Sequence, residues 1–195
     1  MNVTVRKPMT LAEFLAWEER QDMRHEFDGL RVIAMAGGTA AHAFIQRNLA
    51  AALHLRLRGQ PCQFVGSDLK FLTAEGTVRY PDGMVVCSPV ASKAKFVETP
   101  TIVFEVLSPS TTDIDRIVKA CEYEATTSVR RYVMLEQDSA AAVVYARVGE
   151  SWTHQILVAG ASLALPELGF DVPLAELYEG VEFEAAGEDE SSTAT

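Results

Sequence analysis

The sequence predicts a mixed α+β domain of the α/β kind, a central sheet flanked by helices, and three observations carry that reading. Short apolar runs bounded by turn residues recur at 83–87, 101–107 and 132–135, as buried strands do. Longer segments at 40–58 and 113–125 repeat apolar residues at helical spacing. The 195 residues are 48% hydrophobic, enough for one proper core.

The elements follow in order. Thr10-Leu11-Ala12-Glu13 is a capping box, with Leu11, Phe14 and Leu15 behind it, and predicts a short first helix ending near Glu19 or Arg20. Asp28-Gly29 between 24–27 and 30–35 is a hairpin signal. Gly37-Gly38 breaks the second strand. The helix over 40–58 sets Phe44, Ile45, Leu49, Leu53 and Leu57 on one side and stops at Gly59. Strands are expected at 62–65, 68–72, 77–80 and 83–87, then a polar loop over 88–99. After the apolar strand at 101–107 and a turn-rich Ser108-Pro109-Ser110-Thr111-Thr112, the helix over 113–125 places Ile114, Ile117, Val118 and Cys121 on one face. Strands at 132–135, 143–145 and 152–158 and a short helix at 174–178 complete the domain over residues 1–183. Residues 184–195 are acidic and small, and read as a disordered tail.

The net charge of −10 is unevenly placed. Residues 1–147 hold all 17 Lys and Arg and 17 of the 27 acids, so the body is neutral and the acidity is C-terminal. Such a body does not hold duplex DNA by bulk electrostatics, yet it can carry a local basic face. No apolar run is long enough to span a bilayer, and the first eight residues lack the apolar core of a signal peptide. Cys62, Cys87 and Cys121 lack metal-ligand spacing and sit in apolar contexts. They read as reduced core residues of a cytoplasmic protein.

One residue breaks the apolar pattern. Glu105 lies inside Thr101-Ile102-Val103-Phe104-Glu105-Val106-Leu107, where an unpaired ionised carboxylate costs several kcal/mol, so a cation must meet it or its pKa must rise. Asp82, in Tyr80-Pro81-Asp82-Gly83, stands at the mouth of another apolar strand, and Lys119 lies on the helix that follows Glu105. Two strand-borne acids and a nearby lysine are the parts of a metal-dependent phosphodiesterase site: carboxylates suit Mg²⁺, and a lysine offsets phosphate charge. Each residue also has a structural reading. Asp82 could form a turn, Glu105 an ion pair, Lys119 an i,i+4 pair with Asp115, and Glu26 an exposed strand position. The four histidines show no ligand spacing, and no serine has a convincing His and acid partner.

Taken in order, HEFDG (25–29), MAGG..AH (35–42), YPD (80–82), VFEVLSPST (103–111), D.DR..K...Y (113–123) and RYVMLEQD (131–138) resemble the Uma-type restriction endonuclease family of the PD-(D/E)XK nuclease superfamily. The likeness extends through LPELGFDVPLAELYEGVEF (165–183). It implies a restriction-endonuclease-like fold and a Mg²⁺- or Mn²⁺-dependent endonuclease acting on DNA. It implies metal binding by Asp82 and Glu105, supported by Glu26, and catalysis by Asp82, Glu105 and Lys119. In the superfamily signature the lysine follows the second acid by two positions. Here Leu107 stands there, and Lys119 matches a lysine displaced to the next helix, with Tyr123 one turn on. His42 falls on a family motif without an assigned role. Arg131-Tyr132 departs from the Glu-Tyr of many relatives. By analogy the protein is expected to be a homodimer. A catalytically silent binding module on the same fold, and a nuclease for RNA or for branched or damaged DNA, remain open.

Overall fold

The computed structural model describes residues 8–35, 37–107 and 113–183, with the side chains of 113–116 excepted. The expected tail at 184–195 and the turn at 108–112 lie outside the described residues. The first helix, α1 (Leu11–Glu18), begins with the predicted box: Thr10 accepts from the Glu13 amide and Glu13 reaches back to the Thr10 amide. The hairpin follows as β1 (His25–Phe27) and β2 (Val32–Ala34), and then α2 (Ala40–Arg56). Next come β3 (Gln63–Gly66), β4 (Lys70–Leu72), β5 (Val78–Arg79), β6 (Gly83–Val86) and β7 (Phe96–Val97). β8 (Ile102–Val106), α3 (Asp113–Ala125) and β9 (Arg131–Leu135) lead into β10 (Ala142–Val148) and β11 (Ser151–Leu157). A hairpin of β12 (Ser162–Leu165) and β13 (Phe170–Pro173) precedes α4 (Leu174–Leu177).

The main sheet has the order β11-β10-β9-β8-β6-β3. It is mixed: β8 and β9 run parallel, and the other neighbours are antiparallel. Parallel strands need a crossover, and α3 supplies it. A second sheet, β2-β1-β5-β4-β7, carries the hairpin. Side chains of the main sheet alternate between two cores. Ile102, Phe104 and Val106 of β8 join Val85, Val133 and Leu135 beneath α2, α4 and the β12–β13 hairpin. Val103 and the following Leu107 point the other way, with Met84, Val86, Tyr132, Met134 and Tyr123 of α3.

Three expectations are corrected. Cys62 and Cys87 are joined by a disulfide, so they are not a pair of reduced core thiols, and Cys121 is exposed. The β3–β6 register explains the bond: Gln63 faces Val86, and one step outward Cys62 faces Cys87. On α3 Ile117, Val118 and Cys121 do not form the buried face, and the Ile114 side chain lies outside the described residues. Ile117 and Val118 are 64% and 41% exposed, while Glu122 and Tyr123 are buried. The helix turns its polar side inward because that side answers charged groups of the sheets, Lys119 the acids and Glu122 the Arg79 guanidinium. On α2, Ile45, Leu49, Leu53 and Leu57 are buried as expected, but Phe44 is exposed with the Arg47 guanidinium over its ring. The short β7 and the β12–β13 hairpin were not anticipated.

Alkylation of the unfolded, unreduced protein, read by mass spectrometry, is expected to label Cys121 alone; three labelled cysteines would mean that the Cys62–Cys87 bond is absent.

Candidate active site

The register of β6 against β8 builds the site. Gly83 pairs with Phe104 and Met84 with Val103. Carried one residue past the strand start, that register sets Asp82 opposite Glu105, and both fall on the face of Met84 and Val103. The Asp82 carboxylate closes the end of the ladder, its Oδ2 accepting from the Val106 amide at 2.6 Å. At Gly83 a Cβ would lie 2.7 Å from the Phe64 ring across the strand pair, so any side chain there would have to push that ring aside.

α3 crosses the same face and brings Lys119 to the acids. Its Nζ lies 3.1 Å from Glu105 Oε1 and 3.2 Å from Glu26 Oε1. Tyr123, one turn on, donates its hydroxyl to the same Glu105 Oε1 at 3.0 Å. Tyr123 therefore holds the acid rather than the lysine. Glu26 arrives on β1 and is tied from several sides: the Tyr80 amide donates to Oε1 at 3.2 Å, and Arg79 Nη1 to Oε2 at 3.1 Å. Arg79 in turn makes a two-pronged bond to Glu122, at 2.5 and 2.7 Å. From the other side α2 meets Asp82, with Gln46 Nε2 donating to Oδ1 at 2.5 Å and His42 Nε2 lying 3.3 Å from Oδ2.

Glu26, Asp82, Glu105, Lys119, Tyr123 and His42 are thus gathered in one place. Sequence reasoning missed the residues that hold them. Gln46 was legible in principle, since it follows His42 by four residues and shares its helix face. The Arg79–Glu122 pair gave no signal, because its partners lie on a strand and a distant helix. A further buried cluster, in which Glu18 pairs with Lys70 at 2.6 Å and accepts from Tyr80 Oη at 2.7 Å, was also not anticipated.

The electrostatics follow from burial and crowding. Burial, then the neighbouring Asp82 and Glu26, push the Glu105 carboxyl up to about 7, against the pull of Lys119. Burial also works against Glu26, but Lys119, Arg79 and the Tyr80 amide outweigh it and hold that carboxyl low. Lys119 is held above its ordinary range because Glu105 and Glu26 overcome its burial. The hydrogen bond to Asp82 raises the His42 imidazole. Four carboxylates, Glu26, Asp82, Glu105 and Glu122, face two permanent cations: Lys119 meets Glu105 and Glu26, Arg79 meets Glu26 and Glu122, and Asp82 is met by His42. The surplus is negative, and a cation would relieve it.

Among the described residues no group of three or more His, Cys, Asp or Glu side chains is arranged to hold a metal ion. A Mg²⁺-type site does not need three, because that ion binds through one or two carboxylates with waters and substrate phosphate. The oxygen ligands Asp82 and Glu105 are of the kind such an ion takes, with the His42 imidazole held against Asp82.

Two expectations test this electrostatic arrangement. Arg79→Ala leaves buried Glu122 and Glu26 without their guanidinium and is expected to cost about 3–5 kcal/mol in urea unfolding. Glu105 binds its proton more tightly in the folded state than in the unfolded chain. Its favourable contribution is therefore full below the ordinary carboxylate value of 4.5 and is lost as pH rises through about 7. The stability of Glu105→Gln relative to the parent is expected to improve across that window; a difference that is flat with pH would contradict the raised value.

Comparison with known proteins agrees with this architecture. Residues 11–175 match the Uma2 family model, described as "Putative restriction endonuclease". An uncharacterized protein of Synechocystis sp. is 32% identical over 175 residues, covering 88% of this chain and 92% of that protein. A second from the same organism is 30% identical over 158 residues, covering 77% and 87%. A crystal structure from Anabaena variabilis, described as a "putative nuclease belonging to DUF820", superimposes with a TM-score of 0.75. It shares 16% identity over 88% of this chain and 98% of its own, a likeness of fold. With the match running from α1 into α4 and the same fold in a solved neighbour, the chain belongs to the Uma2 family of restriction-endonuclease-like proteins.

Proposed function

We propose that the protein is a metal-dependent endonuclease that hydrolyses phosphodiester bonds in DNA. One observation carries the reading: the β6–β8 register sets Asp82 and Glu105 opposite each other, with the Lys119 ammonium 3.1 Å from Glu105. Asp82 and Glu105 would hold Mg²⁺ or Mn²⁺. Bound there, the ion would supply Lewis-acid polarisation of the phosphate and an acidified water. Lys119 offsets charge on the phosphate as the water oxygen bonds to phosphorus and the leaving oxygen departs. Glu26, tied to Arg79 and the Tyr80 amide, anchors Lys119 and supports the metal side of the site. Tyr123 fixes the Glu105 carboxylate.

The chain's own acids occupy much of its positive charge. Arg24, Arg31, Arg56, Lys70, Arg79, Lys95, Lys119 and Arg131 all pair with them. The grip on nucleic acid is accordingly local, through few phosphates. Residues 1–183 act as one domain with an acidic tail at 184–195. Among the described residues no helix is long and apolar enough to cross a membrane. We place the protein in the cytoplasm, where DNA is accessible, as a homodimer whose two sites each cut one strand. The Cys62–Cys87 bond is unusual for that compartment, where thiols are kept reduced.

Purified protein with Mn²⁺ or Mg²⁺ is expected to nick supercoiled DNA and to stop when the metal is chelated. Glu105→Gln and Lys119→Ala should each lower the rate by about 100-fold or more, as loss of a charge-stabilising group does. Cleavage by either variant at the parent rate would refute the assignment, and a substrate panel including RNA separates the nucleic acids.

A further inference from the structure

Helix α2 carries side chains that the proposed reaction does not use. His42 and Gln46, four residues apart, both reach Asp82. Gln46 Nε2 donates to Oδ1 at 2.5 Å, while Oδ2 accepts from the Val106 amide at 2.6 Å and faces His42 Nε2 at 3.3 Å. A carboxylate offers about four lone-pair positions. The Val106 amide and His42 crowd Oδ2, and Gln46 leaves Oδ1 one position. The carboxylate is therefore fixed in rotation before any cation arrives, and its spare acceptor position lies on one oxygen.

The helix is suited to this work because it is itself held. Ile45, Leu49, Ala52 and Leu53 are buried in the main core. Asn48 Nδ2 donates to the Leu177 and Glu179 carbonyls at 3.0 and 2.8 Å. At its N-terminus Thr39 accepts from the His42 amide and bonds Gln137 through its hydroxyl. The imidazole is bounded on its other side by Gly38, where a Cβ would lie 2.9 Å from His42 Cγ. That contact gives Gly38 a role beyond ending a strand: only a residue without a side chain leaves His42 its place against Asp82.

We propose that Gly38, His42 and Gln46 form a positioning device for Asp82, presenting Oδ1 of that carboxylate to a divalent cation as a single-oxygen ligand. The proposal rests on the metal-site reading above. Its effect is on cation affinity, because groups that orient a ligand typically contribute about 10–100-fold to metal binding.

Calorimetric titration with Mn²⁺ alone, without DNA, tests it. Gln46→Ala and His42→Ala are expected to weaken Mn²⁺ binding about 10-fold or more. His42→Gln, which keeps an amide nitrogen within reach of Asp82, should recover most of that loss. Gly38→Ala keeps every polar group and should still weaken binding, because its methyl displaces the imidazole. Urea midpoints of Gln46→Ala and Gly38→Ala should stay near that of the parent. If the parent binds Mn²⁺ and the alanine variants bind within twofold of it, the positioning role is overturned while the metal site stands. If the parent binds no Mn²⁺, the site reading fails and takes this one with it.

Discussion

The contact between Lys119 and Glu105 is the constraint around which the rest is arranged. A carboxylate in the middle of a buried strand is tolerated only when something meets its charge or it holds its proton more tightly. The answer comes from α3, which must cross the sheet in any case because β8 and β9 are parallel. The crossover that the topology demands is thus also the carrier of the cation. Tyr123 uses the same helical turn to hold the acid, and Glu26 steadies the ammonium from the second sheet.

This arrangement sets the internal charge distribution. Glu26 needs Arg79, and Arg79 needs Glu122, so the requirement that begins at Glu105 extends through the second sheet and back to α3. Buried ion pairs of this kind add little net stability compared with apolar packing, but removing one partner is costly. The network therefore specifies one arrangement of sheets and helix more than it strengthens the fold. It also consumes cations that a nucleic-acid-binding surface would otherwise display, which fits the neutral body.

Much of this was legible in the chain. Glu105 stood out because alternation and apolarity made its burial plain. Asp82 and Lys119 were legible by order and by resemblance, and the structure brings all three together. The direction of α3 was not legible. Amphipathicity gives the period of a helix, and the usual assumption sends its apolar stripe inward. Here Ile117 and Val118 face out because Lys119, Glu122 and Tyr123 have partners inside. The disulfide was missed because cysteines separated by 25 residues show no pairing until the β3–β6 register is known. The β12–β13 hairpin was missed because Ser162–Leu165 and Phe170–Pro173 are too short for a periodic signal.

The lysine's seat on a helix rather than on the strand of Glu105 has a consequence for motif searches. On a strand, the spacing between acid and lysine is fixed by the pleat, and a one-residue slip sends one of them to the wrong side. On α3, the ammonium's position is set instead by the packing of Tyr123 against Phe71 and Tyr132. A search for a lysine two positions after the strand acid would therefore overlook a chain built this way, in which Leu107 holds that position.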